Sequence, residues 1–348
     1  MKQLTLAIAL GLAAAAGVAQ ARDNIEIVGS STVYPFSTAV AEQFAKKTGM
    51  AAPKVESTGT GGGMKLFCAG AGVDSPDITN ASSRRMKKSE MDDCIKNGVT
   101  EVTEVKVGFD GIAIAQAKNA APVSLSRREL YLALAKDVPT GPNGELQPNT
   151  YTTWKQINPA MADVKIEVMG PPPTSGTRDA LAELGLEKGC LLFKGMPEMK
   201  KKDEKAFKAA CTTVREDGHY IESGENDNLI VQKLQANPEA VGIFGYSFLE
   251  QNMDSLKAAP IDGKEISYDA ISDGSYPLSR PLFFYVKNSH VGQVAGIKEY
   301  VAEFTSEEAL SKDGYLADKG LVALPADQKA ESVASATAMK PLSVSVLK

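Results

Sequence analysis

The sequence has few residues of the kinds that build metal centres and catalytic triads. Of its 348 residues only two are histidine and four are cysteine, and no two cysteines form a C-x-x-C pair. His219 and His290 stand in unrelated, widely separated contexts. A hydrolase such as a phosphatase needs a metal cluster or a nucleophile activated by a base. The composition therefore argues against an enzyme, and we expect no cofactor and no bound metal.

The chain also lacks an excess of positive charge. Lysine and arginine total 38 against 43 aspartate and glutamate residues, which gives a formal net charge of -5. It has no basic stripe interleaved with aromatic residues, the pattern that suits nucleic acid. Nucleic-acid binding is thus disfavoured. Any bound anion must be held by local groups and not by a general positive field.

Long apolar runs are absent except at the start of the chain. Residues 1–21 contain a lysine, an apolar stretch over residues 4–18 and an A-x-A sequence at residues 19–21. This pattern predicts a secretory signal peptide that is cleaved after Ala21. No later segment approaches the roughly 20 apolar residues that span a bilayer, and no cysteine at the cleavage site could carry a lipid. We expect a soluble, exported chain that begins at Arg22.

The four cysteines suit an exported protein, because disulfides form in oxidising compartments. Cys68 and Cys94 lie in one region of the sequence, and Cys190 and Cys211 lie in another. Four cysteines allow three connectivities, and the sequence alone does not choose among them. Two sequence-local pairs, each closing a short loop, are the simplest arrangement, with metal binding as the rival interpretation.

The order of the predicted elements indicates an α/β protein. The length exceeds what one hydrophobic core usually holds, and strands alternate with helical patterns, so we expect two α/β lobes. Two long apolar strands, in residues 101–117 and 281–286, could carry the chain between the lobes and back. Trp154 is predicted to be a core residue. A helix is expected over residues 296–310, and the Ala- and Ser-rich tail after Pro325 is expected to be peripheral.

Four stretches rich in glycine and hydroxyl residues each follow a strand and open a helix. They are residues 29–35, 58–65, 80–85 and 170–179. Each could be an ordinary helix cap, and Arg84 with Arg85 could form a solvated helix face. Their recurrence favours an anion site, because helix N-termini present free N–H groups and arginine pairs with oxyanions. The glycine-rich stretch lacks the G-K-[ST] ending of a phosphate loop, so nucleotide hydrolysis fits poorly.

In this order and spacing, the four stretches resemble those of the phosphate-binding proteins of bacterial Pst-type ABC transporters. The resemblance covers roughly residues 24–324. It implies the two-lobed type II periplasmic-binding-protein fold, in which each lobe is a mixed sheet flanked by helices and two crossover strands join the lobes. The implied first lobe is residues 22–111 with residues 277–348, and the second is residues 112–276.

The resemblance also implies a function and a set of ligand contacts. The protein would capture inorganic phosphate in the interlobe cleft, in the periplasm, and deliver it to an inner-membrane ABC permease while remaining a monomer. Carried over position by position, the expected contacts to phosphate come from Ser31, Thr32, Val33, Thr60, Ser83, Arg84, Ser175, Gly176, Thr177 and Arg178.

The sequence departs from the family pattern at two positions, one of them among these contacts. Better-known members have an aspartate where Ser83 stands, and some carry an arginine four residues before Ser175, where this chain has Pro171. Arg84 and Arg178 are the expected replacements. A fixed carboxylate acceptor disfavours fully deprotonated anions, so its loss leaves sulfate, molybdate or a phosphonate as an alternative ligand. An exported adhesion or matrix protein on the same fold is the further alternative.

Hinge motion between two lobes would be blocked by a disulfide that joins them. Closure of the cleft therefore predicts one disulfide within each lobe, Cys68–Cys94 and Cys190–Cys211. A pairing of Cys68 with Cys211 would contradict this prediction.

Overall fold

The computed structural model describes most of the chain after the predicted signal peptide. The described residues are 22, 24–30, 32–82, 84–141, 144–173, 175–223 and 227–347. The predicted signal peptide, residues 1–21, lies outside them, as do the predicted ligand residues Ser31 and Ser83.

The strands in the described part of the chain form a mixed nine-stranded sheet and a small hairpin. They are β1 (Glu26–Gly29), β2 (Lys54–Ser57), β3 (Ile78–Ala81), β4 (Val102–Ala117), β5 (Asp137–Pro139), β6 (Leu146–Pro148), β7 (Val168–Gly170), β8 (Tyr220–Glu222), β9 (Val241–Gly245), β10 (Leu256–Ala258) and β11 (Ser279–Lys287). The large sheet has the order β2-β1-β3-β11-β4-β9-β7-β8, and β10 also pairs with β4. β5 and β6 form the hairpin.

Helices cover the sheet. They are α1 (Tyr34–Thr48), α2 (Thr60–Phe67), α3 (Lys88–Lys96), α4 (Arg127–Leu134), α5 (Trp154–Ile157), α6 (Gly176–Ala180), α7 (Lys188–Cys190), α8 (Met196–Lys202), α9 (Glu204–Thr212), α10 (Asp227–Ala236), α11 (Tyr246–Gln251), α12 (Tyr268–Ser272), α13 (Ile297–Phe304), α14 (Glu307–Leu310) and α15 (Ala326–Thr337). A π-helical segment, Leu181–Glu187, joins α6 to α7. Short 3-10 turns occupy Asn288–His290, Ala317–Lys319 and Val344–Val346.

β4 and β11 are the two long apolar strands expected to cross between lobes. β11 runs antiparallel to the first part of β4, from Lys287 opposite Val102 to Ser279 opposite Gly111. Beyond that point β4 pairs with β9 instead. One continuous strand thus belongs to both halves of the sheet, and its apolar run is confined to the second part, residues 111–115, which is fully buried.

The buried apolar side chains divide at the middle of β4. Two clusters draw on residues 25–107 and 282–347, and we call the part of the chain around them the first lobe. Another cluster draws on residues 109–278, with Val322 and Leu324, and defines the second lobe. The expected two-lobed α/β architecture is confirmed, and Trp154 is a core residue of the second lobe.

Each disulfide lies within one lobe. Cys68 is bonded to Cys94, which ties the end of α2 to α3 in the first lobe. Cys190 is bonded to Cys211, which ties α7 to α9 in the second lobe. Both predicted pairings are confirmed, and neither bond restrains one lobe against the other.

Two expectations about the C-terminal part need correction. The helix predicted over residues 296–310 is two helices, because Ser306 caps a new helix by accepting a hydrogen bond from the Ala309 N–H at 3.2 Å. The tail is not peripheral. Ala336 of α15 is fully buried, the Ser332 hydroxyl donates to the Lys106 carbonyl at 2.5 Å, and Leu342 N–H donates to the Val102 carbonyl at 2.8 Å. Small side chains let this helix approach the strand closely.

Candidate functional site

The start of α1 is organised by a serine that the sequence motif did not single out. The Ser30 hydroxyl oxygen accepts hydrogen bonds from the backbone N–H groups of Thr32, at 3.1 Å, and Val33, at 3.3 Å. It also lies 2.7 Å from the Ser82 hydroxyl oxygen. The Val33 N–H, predicted to face a ligand, therefore has an internal partner in this structure.

A buried hydroxyl cluster joins the first three glycine- and hydroxyl-rich stretches. Besides the contact between Ser30 and Ser82, the Ser82 N–H donates to the Thr60 hydroxyl oxygen at 3.2 Å. Ser30, Ser82 and Thr60 are 2%, 3% and 7% exposed. The sequence thus brings three separate strand ends together, as expected for the carboxyl ends of neighbouring strands.

Two glycines make this approach possible. Gly29 has φ +126°, and a Cβ there would lie 2.3 Å from the Asn80 carbonyl oxygen. A Cβ on Gly63 would lie 2.4 Å from the Gly29 Cα. Part of the glycine-rich stretch therefore serves the packing of α2 directly on the backbone of β1, and not ligand contact alone.

The fourth stretch meets the first across the cleft. Ser175 caps α6 by accepting a hydrogen bond from the Thr177 N–H at 3.2 Å. The Thr32 hydroxyl donates to the Gly176 carbonyl oxygen at 3.1 Å. The contact places a first-lobe hydroxyl against a second-lobe helix start, so residues 144 positions apart in the sequence meet at the predicted site.

Arg280 of β11 lies at this junction, and the sequence reasoning missed it. Its side chain is 3% exposed. Its Nη2 contacts the Thr32 hydroxyl oxygen and lies 3.3 Å from the Gly176 carbonyl oxygen. Its Nη1 donates to the Glu183 carboxylate at 3.0 Å, and its Nε lies 3.5 Å from the Asp110 carboxylate. We call Thr32, Gly176 and Arg280 the interlobe junction.

Burial acts on the two carboxylates beside Arg280. Burial raises the pKa of Asp110, and the nearby Arg280 charge only partly opposes that effect. Burial also raises the pKa of Glu183, again against the opposing influence of Arg280. The sequence does contain a signal for this pair. Asp110 and Arg280 are charged residues at the two crossover strands, and a charge inside a predicted buried strand requires a partner.

The two arginines that the motifs did indicate have different surroundings. Arg84 donates to both carboxylate oxygens of Glu90, at 2.7 and 2.6 Å, so its fork is already occupied. Arg178 donates to the Pro171 carbonyl at 3.1 Å, and its guanidinium lies 4.5 Å from the Tyr220 ring centre. Its contact with a carboxylate is long, 3.9 Å to Glu222. Their contacts with an anion remain predictions.

The backbone carbonyl of Pro171 is a shared hydrogen-bond acceptor. Its oxygen accepts from Arg178 and, at 2.7 Å, from the Tyr220 hydroxyl. Burial raises the pKa of Tyr220 to about 12, so this hydroxyl keeps its proton at neutral pH. This backbone carbonyl, which any residue at the position would provide, anchors the arginine that stands seven residues later.

The histidines occupy structural positions. His290 is fully buried, with Nδ1 2.6 Å from the Asp77 carboxylate, and His219 Nδ1 lies 2.7 Å from the Ile166 carbonyl oxygen. Within the described ranges, no three His, Cys, Asp or Glu residues are grouped so that they could hold a metal ion. No helix in that part of the chain has the length and apolar content to cross a membrane.

Comparison with known proteins gives consistent results. Residues 14–308 match the family model of the PBP superfamily domain. The phosphate-binding protein PstS of Staphylococcus saprophyticus is 32% identical over 302 residues, 85% of this chain and 79% of that protein. Protein SphX of Synechococcus elongatus is 31% identical over 305 residues, 86% of this chain and 77% of that protein. The crystal structure of a possible phosphate binding protein from Planctomyces limnophilus superposes with a TM-score of 0.70 at 26% identity, covering 91% of this chain and 98% of that one.

Proposed function

The chain belongs to the PBP superfamily and to the family of PstS phosphate-binding proteins, and on this premise we propose that it captures inorganic phosphate between its lobes. It then delivers the anion to an ABC permease in the inner membrane. In this role the protein is a carrier and not an enzyme.

The observation that carries the proposal is the interlobe junction. The Thr32 hydroxyl of the first lobe and Arg280 of a crossover strand both donate to the Gly176 carbonyl oxygen at the start of α6 in the second lobe, and Arg280 also contacts the Thr32 hydroxyl. Hydroxyl groups and the planar arginine fork are donors that bind tetrahedral oxyanions. The overall negative charge of the chain makes such local donors necessary.

We propose that phosphate replaces the internal partners seen at the junction. Arg280 and the Thr32 hydroxyl, now directed to the Gly176 carbonyl and to Glu183, would turn to the phosphate oxygens. The other proposed contacts are those predicted from the motifs: Ser31, Val33, Thr60, Ser83, Arg84, Ser175, Gly176, Thr177 and Arg178. Bending of β4 and β11 would close the lobes around the anion and form the surface that the permease reads.

We propose that the mature protein is periplasmic and is divided into two lobes. Residues 1–21 would be removed after Ala21, and the mature monomer would act in the periplasm. The first lobe would comprise residues 22–111 and 277–348, and the second lobe residues 112–276. The division of the apolar clusters near Phe109 and Leu278 supports these boundaries.

Calorimetric titration with phosphate, sulfate, molybdate and a phosphonate tests the proposal. We expect phosphate to bind most tightly, by about 1.4 kcal/mol or more, which is at least about tenfold. Tighter binding of another of these anions would assign that ligand instead, and binding of none of them would refute an oxyanion carrier.

A matched pair of variants tests the junction. Arg280→Gln removes the guanidinium at the junction, and we expect phosphate affinity to fall by about 10- to 150-fold. Arg215→Gln is the control, because Arg215 is equally buried, at 3% exposure, and is likewise paired with a carboxylate, Asp217, away from the junction. Equal phosphate affinity in the two variants would remove Arg280 from the site.

A further inference from the structure

Each lobe carries one short segment with an excess of positive charge. In the first lobe, residues 84–88 lead into α3 and hold two arginines and two lysines with no acidic residue. In the second lobe, residues 200–208 cover the end of α8 and most of α9 and hold five lysines against two acidic residues. We call these the two entrance segments. They are local exceptions in a chain whose formal net charge is -5.

The second entrance segment lies close to the interlobe junction. α9 packs on the π-helical segment, Leu181–Glu187, which carries Glu183. Glu183 accepts a hydrogen bond from Arg280 Nη1 at 3.0 Å, and its side chain is 36% exposed against 3% for that of Arg280. Solvent therefore reaches the junction on the side of Glu183. Burial raises the pKa of Glu183, and the charges of Arg280 and of Lys208 on α9 oppose that rise.

The first entrance segment faces the second across the cleft. Glu204 begins α9, and its carboxylate lies 3.5 Å from Lys208 Nζ. The charges of Lys208 and, from the first lobe, of Lys87 hold the pKa of Glu204 below its usual value. The first segment also begins two residues after Ser82 of the buried hydroxyl cluster. The starts of α3 and α9 thus form the two sides of one opening that leads to the junction.

Part of the positive charge at this opening has no ion-pair partner. The two arginines and three of the lysines in the entrance segments pair with carboxylates. The other four lysines are exposed and form no ion pair with any residue in the part of the chain that the structure describes: Lys87, Lys201, Lys202 and Lys205. Because no carboxylate of their own cancels these charges, they create a positive potential at the opening.

We propose that the two entrance segments steer small tetrahedral anions from solvent into the interlobe junction. This inference rests on the proposed function. The unpaired lysines do not hold the bound anion. They raise its concentration at the opening and therefore its association rate constant, an effect that can reach about 10- to 1000-fold in steered associations. Steering has a clear use here, because the net negative charge of the chain repels phosphate at long range.

A pair of double variants with the same change in net charge tests the inference. Lys87→Glu combined with Lys205→Glu reverses one unpaired charge on each side of the opening, and we call it the entrance variant. The control variant combines Lys46→Glu with Lys298→Glu, and both of these lysines are exposed. Their positions far from the opening make them suitable controls.

The distance of the control lysines follows from the length of α1. This helix begins near the junction and has 15 residues, which span about 22 Å, and Lys46 stands in its last turn. Lys298 stands in the first turn of α13. α13 packs on the same end of α1, where the ring centres of Phe44 and Tyr300 are 6.2 Å apart.

Stopped-flow fluorescence measures the association and dissociation rate constants of inorganic phosphate. At an ionic strength of about 0.01 M, where the Debye length is about 30 Å, we expect association with the entrance variant to be at least about tenfold slower than with the wild type. The control variant should stay within about threefold of the wild type. At about 1 M the entrance variant should also come within about threefold, because the charges are screened. Its dissociation rate constant should change by no more than about twofold, since a charge at the rim acts mainly on association.

The outcomes separate this inference from the proposed function. Equal slowing of association in the two double variants would show an effect of net charge alone and overturns the inference. Slowing that persists at high salt, or faster dissociation from the entrance variant, also overturns it, because the lysines would then support or contact the bound anion. The wild type needs no substitution for its own test: an association rate constant that does not fall with salt overturns steering while phosphate binding stands. A wild-type protein that binds no phosphate at equilibrium overturns both proposals.

Discussion

Arg178 and Arg84 differ in how much of their charge is already used inside the protein. The Arg84 fork is filled by both oxygens of Glu90, an arrangement that leaves little positive potential for a ligand. Arg178 is held by the neutral Pro171 carbonyl and the face of Tyr220. A positive charge that is positioned by neutral groups remains available to an anion.

This difference predicts unequal effects of exchanging each arginine for lysine. Arg178→Lys keeps the charge but removes the planar fork, so we expect phosphate affinity to fall by about 10- to 150-fold. The unfolding temperature without ligand should change little. Arg84→Lys is the matched substitution, and we expect a smaller loss of phosphate affinity there, because Glu90 already fills the Arg84 fork. Titration calorimetry of both variants checks this, and a larger loss in Arg84→Lys would contradict the ranking.

The residues of the interlobe junction show which parts of the site could be predicted from the sequence. Thr32 and Gly176 belong to motifs with local signatures, namely a hydroxyl followed by a helix start, and they could be found. Arg280 belongs to no motif. Its importance arises from the strand register that places it opposite Asp110, and register between distant strands is not encoded locally.

At the scale of elements, strands with long apolar runs were predictable, and small-residue helices were not. β4 and β11 agree with the segments predicted from composition, because residues 111–115 of β4 and 282–286 of β11 are buried apolar runs. α15 was misjudged because alanine and serine carry little hydrophobic signal. Its Ala336 is nonetheless fully buried, and its Ser332 bonds to the backbone of β4.

Charge placed on the two faces of α15 tests its packing. Ala336→Glu buries a carboxylate with no partner, and we expect the free energy of unfolding to fall by about 3 kcal/mol or more. Ala334→Glu, on the exposed face of the same helix, should change it by no more than about 0.5 kcal/mol. Urea unfolding of both variants measures the difference. Equal stability would mean that the tail is peripheral after all.

At the scale of the whole molecule, both disulfides leave the lobes free to move against each other. Each disulfide is confined to one lobe, and the chain joins the lobes through β4 and β11. Contacts such as that between Thr32 and Gly176 are single hydrogen bonds, which a ligand can replace. This arrangement would permit the ligand-dependent closure that we propose.

Closure predicts a joint change in stability and shape. At about 100 times its dissociation constant, phosphate should stabilise the folded state by about 2.7 kcal/mol, which raises the unfolding temperature by several degrees. Small-angle scattering should show a smaller radius of gyration at the same concentration. Arg280→Gln at that phosphate concentration serves as the control: with its affinity reduced about 10- to 150-fold, the stabilisation should fall to about 1.4 kcal/mol or less, and the change in radius of gyration should shrink with it. Unchanged melting and scattering of the wild type at saturating phosphate would contradict closure.

The path of the chain through its two crossover strands also determines the order in which the lobes can be completed. The second core is assembled almost entirely from the continuous span 109–278. In the first core, Asn80 of β3 pairs with Phe284 of β11, so its sheet must wait for strands from both ends of the sequence. Such long-range pairing is slow, because it requires closure of a large loop. In a chain that becomes available for folding N-terminus first, the second lobe therefore folds first. The first lobe, which holds both termini, is completed last.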